Sequence, residues 1–96
     1  MLNAVKKLKN KVTDRTVYME VYGENKVAYR VISGRIGKTV TYGIETEDYN
    51  TGEKEVIPDF SRNMEDAVCF AEMLIKSKVT PKYMYIKALD YLRLSI

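Results

Sequence analysis

Residues 47–55 read EDYNTGEKE, and the fold turns on whether this run grips a cation or reverses the chain. A calcium loop of the helix-loop-helix type places acids or amides at alternate positions, a glycine at the sixth and a bidentate glutamate at the twelfth. Counted from Asp48, Asn50 fills the third position, but Gly52 arrives at the fifth, Glu53 takes the sixth and Asp59 the twelfth. The flanks are strand-like. Asn50, Thr51 and Gly52 are turn formers between Glu45-Thr46-Glu47 and Lys54-Glu55-Val56-Ile57, so the run reads as the turn of a β-hairpin, and no metal ligand is assigned.

The register of that hairpin follows from charge. Pairing Ile44 with Val56 would set Glu45 against Glu55 and Glu47 against Glu53. A shift of one residue pairs Ile44 with Ile57 and Glu47 with Lys54, and is favoured. Pro58 cannot donate to a ladder and is expected to end the strand.

Upstream, from residue 16, the pattern has period two. Val17, Met19 and Val21 alternate with Thr16, Tyr18, Glu20 and Tyr22; Val27, Tyr29 and Val31 alternate with Ala28, Arg30 and Ile32; Val40, Tyr42 and Ile44 alternate with Thr39, Thr41, Gly43 and Glu45. These are three half-buried strands of an antiparallel meander. Opposed residues must share a face. A three-residue loop Gly23-Glu24-Asn25 satisfies this by pairing Val21 with Val27 and Met19 with Tyr29, with Asn25 in the left-handed position. A loop over Ser33–Lys38 pairs Val31 with Val40 and Tyr29 with Tyr42.

Downstream the period becomes helical. Met64, Ala67, Val68, Ala71, Leu74 and Ile75 form one arc with Phe70 at its edge, and Ser61 or Asn63 can cap the start. Thr80-Pro81 opens a second helix, for which Tyr85, Ala88, Leu89, Leu92 and Ile96 are read as the core stripe. The fold class is therefore α+β: a three- to four-stranded antiparallel meander with two C-terminal helices packed on one face. Residues 1–15 form a basic segment, a short helix or a flexible tail, and residues 16–96 a single domain.

The chain has 96 residues, 46% hydrophobic and 30% charged, which suits one globular domain. No apolar run reaches the length that spans a bilayer, and no signal peptide is evident, so a cytoplasmic location is expected. Cys69 is the one cysteine, which excludes an internal disulfide, and there is no histidine. Without histidine, catalysis would rest on carboxylates, lysines, tyrosines or one thiol. The expectation is a non-enzyme with no cofactor and no small-molecule substrate. A carboxylate enzyme would use Glu45, Glu47 and Asp59.

Two binding surfaces are expected. Cys69 and Met73 lie four residues apart on one face of the first helix, outside its core arc. The second helix carries Tyr83, Met84, Ile86, Tyr91 and Leu94 beyond its stripe, more than one sheet and one helix can cover. Cys69, Met73, Tyr83, Tyr91 and Leu94 are thus candidate contacts for a protein partner or a second copy, in a small binding or regulatory module. The alternative is single-stranded nucleic acid, with Tyr18, Tyr22, Lys26 and Arg30 on the outer sheet face as a stacking platform and Lys6, Lys7, Lys9 and Lys11 meeting phosphates. Against it, residues 45–59 are rich in acids.

The order of features, a tyrosine-bearing meander with YGIE (residues 42–45), a polar turn, IPDFS (57–61), then two helices with the second opened by TP (80–81), resembles a family of short bacterial proteins of unknown function. The resemblance covers most of residues 16–94. It implies a bacterial cytoplasmic protein, and carries no catalytic residue with it.

Overall fold

A computed structural model describes residues 12–94. Four antiparallel strands, β1 (Thr13–Tyr22), β2 (Val27–Ile36), β3 (Thr39–Asp48) and β4 (Lys54–Ser61), lie in sequence order in one open sheet. Two helices follow, α1 (Met64–Lys76) and α2 (Pro81–Leu94). Both helices pack on the same face, α1 over β2 and β3 and α2 over β3 and β4. The fold is α+β, as the change of period from two to 3.6 requires.

Between sheet and helices the core holds Val27, Tyr29, Val31 and Ile44 against Ala67, Phe70, Ala71, Leu74, Val79, Met84 and Ala88. Phe60 stacks on Phe70, ring centroids 4.6 Å apart, and Tyr91 tilts against both. Asn63 caps α1, its Oδ1 accepting from the Glu65 amide at 2.9 Å. Pro81 occupies the first position of α2, where the missing N–H has no partner to lose.

The β3–β4 hairpin has the favoured register, Ile44 with Ile57 and Glu47 with Lys54. Its turn is built on Asp48, whose carboxylate accepts from the backbone N–H of Asn50 at 2.8 Å and from its side-chain amide at 3.0 Å. Gly52 takes the left-handed position at φ 80°.

The other two hairpins keep the expected faces but slip along the strand. Val21 pairs with Tyr29 and Met19 with Val31, not with Val27 and Tyr29. The loop is Glu24-Asn25-Lys26, and Lys26 rather than Asn25 is left-handed, at φ 62°. The reason is that Asn25 spends its side chain: Oδ1 accepts from the Val27 amide and Nδ2 donates to the Tyr29 hydroxyl. Likewise Val31 pairs with Ile44 and Tyr29 with Thr46, because the hairpin runs on to a two-residue turn at Gly37-Lys38. Gly34 sits inside the strand, where Val12 and the Thr13 carbonyl press on the space a Cβ would need.

Three further expectations are corrected. A register irregularity between Val17 and Met19 turns Val17 out of the core, and it is 54% exposed. Pro58 does not end β4: the strand bulges there and continues to Ser61, and Gly43 opposite leaves room for the Ile57 and Pro58 carbonyls. Most consequential, the core stripe of α2 is Pro81, Met84 and Ala88, with Tyr91 half-buried, while Tyr85, Leu89 and Leu92 lie outside.

Candidate functional site

On the sheet face away from the helices, Arg30 reaches out from the middle of β2. In an antiparallel pair, residues that do not exchange backbone hydrogen bonds bring their side chains closest. Gly23 N–H donates to the Val27 carbonyl at 2.9 Å, and counting back along the ladder makes Glu20 and Arg30 such a pair. Arg30 Nε donates to Glu20; Nη1 donates to Glu45 at 2.9 Å and to Glu47 at 3.0 Å; Nη2 donates to the Tyr49 hydroxyl at 2.8 Å. Lys54 adds a longer pair to Glu45, 3.6 Å. Arg30 is buried. Burial alone would lower its pKa, but the hydrogen bonds it donates to Glu20, Glu47 and Glu45 outweigh it and hold the guanidinium charged.

Tyr22 and Tyr49 close the cluster, ring centroids 5.9 Å apart. The Tyr22 phenol is raised above the ordinary tyrosine range by its hydrogen bond with Tyr49 and by the charge of Glu20. Thr41 donates to Asp59 further along the same face. Three glutamates around one arginine and one lysine leave a local surplus of negative charge.

Tyr18 and Tyr22 are exposed on β1, but Tyr22 pairs with Ala28 rather than Lys26, and Arg30 faces Glu20 rather than Tyr18. Lys26 lies in the loop. Of the carboxylates considered for catalysis, Glu45 and Glu47 hold Arg30 while Asp59 accepts from Thr41. Cys69 is exposed; Met73 is half-buried and packs against the core. Tyr83 is exposed, whereas Tyr91 lies against Phe60 and Phe70, its phenol raised by burial and then by Cys69 and Asp66. The side chain of Leu94, like Lys6, Lys7, Lys9 and Lys11, falls outside the described residues. Among the described residues these candidate contacts are of mixed burial, Cys69 and Tyr83 exposed and Met73 and Tyr91 half-buried, and do not form one exposed patch.

A different set does. Tyr85, Ile86, Leu89 and Leu92 occupy one flank of α2 at exposures of 50, 56, 61 and 44%. Tyr85 leans over the sheet edge and donates its hydroxyl to the Val56 carbonyl at 3.2 Å. Three of these four, Tyr85, Leu89 and Leu92, fall in the core stripe that the sequence pattern predicts. Lys82, Lys87 and Asp90 are spread around the helix and fix its phase poorly. The better signal is Pro81 and Ala88, the smallest side chains of the buried face, which mark where α2 comes nearest the sheet.

Among the described residues no group of three or more acids and cysteines is placed to hold a metal ion, and no helix is long and apolar enough to cross a membrane.

Fold and surfaces together define an α+β domain with an open four-stranded sheet, helices on one face and a charged hub on the other. The chain belongs to a family of unknown function, DUF6514, whose family model matches residues 6–93. No curated protein and no solved structure matches it.

Proposed function

We propose that the chain is a small binding module acting through protein contacts, and that the outer flank of α2 receives an amphipathic helix of a partner protein. The observation that carries this is the exposure of Tyr85, Ile86, Leu89 and Leu92 over two turns of one helix. Such side chains at i, i+1, i+4 and i+7 suit a helix laid alongside. A patch of this size, on the order of 400 Å², is about half of what each side of a stable dimer buries, which favours one docked helix over a symmetric pair of copies. Lys82 and Lys87 outnumber Asp90 on the exposed side of α2, so the partner's flanks carry acids. The exposed single thiol of Cys69 suits a reducing compartment, and we place this work in the cytoplasm.

The chain then carries no reaction of its own. Nucleic-acid binding on the outer sheet face is the weaker reading, because Arg30 is already held by three carboxylates that would repel phosphates.

The test is affinity capture with the intact chain, followed by hydrogen exchange on the purified complex. A partner that protects the Tyr85–Leu92 amides and is lost with Leu89→Glu and with Ile86→Glu supports the reading. Retention of that partner by both variants refutes it, as does dimerisation of the isolated chain abolished by Leu89→Glu, which would give the flank to a second copy.

A further inference from the structure

We propose that the free edge of β1 accepts a short extended strand from a partner protein, one that alternates apolar with basic residues. This rests on the sheet alone and is independent of the α2 flank.

The two edges of the sheet are not equivalent. The backbone N–H of Asp48, the last residue of β3, donates to the Glu53 carbonyl at 2.8 Å, and the alternation of the ladder turns the groups of Lys54 and Val56 outward. That edge is obstructed from Val56 onward. The Val56 carbonyl is taken by Tyr85, Pro58 has no N–H to offer, and the strand bulges beside it.

In β1 the same alternation, fixed by Gly23 N–H on Val27, points the N–H and C=O of Glu20 and Tyr22 away from the sheet. Among the described residues nothing takes them. The register is regular from Met19 to Tyr22 and breaks between Val17 and Met19, so the edge offers about one strand's worth of pairing, roughly five residues. The irregularity sets the length and guards against long edge-to-edge association.

The side chains on either side choose the sequence of the guest. On the helix side α1 covers β2 and β3 and stops short of β1. This leaves a groove of about 300 Å³ lined by Val21, Tyr22, Gly23, Glu24, Ile75 and Lys78, continued by a shallower hollow at Met73. An apolar side chain of an added strand drops into it. On the opposite face the guest's next residue lies beside Glu20, at the rim of the acidic surplus around Arg30. There a lysine or arginine is favoured and an acid repelled.

The experiment uses the isotope-labelled full chain and two nine-residue synthetic peptides, one alternating Val with Lys and one alternating Val with Glu. The Val-Lys peptide is expected to slow exchange of the Glu20 and Tyr22 amides at least tenfold and to shift Val21, Met73 and Ile75, while Lys54 and Val56 stay unchanged. Tyr22→Pro removes an outward N–H and no β1–β2 bond, and should abolish the effect with the circular dichroism spectrum intact. Equal response to both peptides overturns the proposal, as does no protection from either. Protection that grows with protein concentration alone also overturns it, by assigning the edge to a second copy.

Discussion

The hydroxyl of Tyr29 donates to the backbone carbonyl of Val79 across 2.8 Å, tying β2 to the link between the two helices. Tyr29 is fully buried, and its phenol also receives a hydrogen bond from Asn25. Burial raises its pKa, against a smaller opposing effect from Asn25. In the unfolded chain the phenol ionises near its ordinary value of 10.0. The folded state therefore keeps its full advantage below that pH and loses it as pH climbs through the raised value. Absorbance titration should show one tyrosine that ionises only together with loss of near-ultraviolet dichroism, and Tyr29→Phe should remove that step. The same variant leaves the Val79 carbonyl without its partner and should cost about 1–2 kcal/mol at neutral pH. A titration in which every tyrosine ionises before unfolding would contradict this.

Arg30 is the second point at which distant segments meet. Its guanidinium gathers Glu20 from β1, Glu45 and Glu47 from β3 and Tyr49 from the following turn. Arg30→Ala would leave three partly buried carboxylates facing one another, and about 3 kcal/mol of stability should be lost in urea denaturation. Arg30→Lys should recover little, since one ammonium cannot serve four acceptors in a plane. Full recovery by lysine would mean that charge alone, not the fork, holds the cluster.

Arg30 also shows which parts of the fold could be read from residues. The β3–β4 register was legible because a one-residue slip would have brought like charges together, and that penalty has one solution. The other hairpins were constrained only by which face each residue occupies, and a slip of two residues preserves faces; Val21 could meet Val27 or Tyr29 equally well on that ground. What decided between them was the side chain of Asn25, committed to Val27 and Tyr29, a contact that exists only once the turn is formed. The hub itself was hidden for the same reason. Glu20 faces Arg30 only in the slipped register, so the aromatic and basic residues of the outer face read as an open platform when the arginine is in fact enclosed.

Gly34 falls within the loop expected over Ser33–Lys38 but is a strand residue with no space for a side chain. A Cβ there would press into Val12 and lie 3.0 Å from the Thr13 carbonyl. Gly34→Ala should destabilise the chain by about 1–3 kcal/mol. Combining it with Val12→Ala should cost less than the two single changes added together, since the smaller side chain removes the closest contact. Strict additivity in that double-mutant cycle would show that the strain lies in the backbone approach at Thr13 instead.

The phase of α2 gives the sharpest test, because the helix is apolar on two sides and only one of them meets the sheet. Met84 is fully buried and Thr46 lies against its sulfur, the hydroxyl 3.6 Å away. Met84→Ala should cost about 2–4 kcal/mol by lost burial and the cavity left behind. Leu89, five residues on, is 61% exposed, and Leu89→Ala should change stability by no more than about 0.5 kcal/mol. Chemical denaturation of the two variants reads the difference directly. If the ranking were reversed, Leu89 would be the buried residue and Met84 the outer one. The helix would then be turned so that Tyr85 could not reach Val56, opening the β4 edge and leaving no apolar flank for a partner to bind.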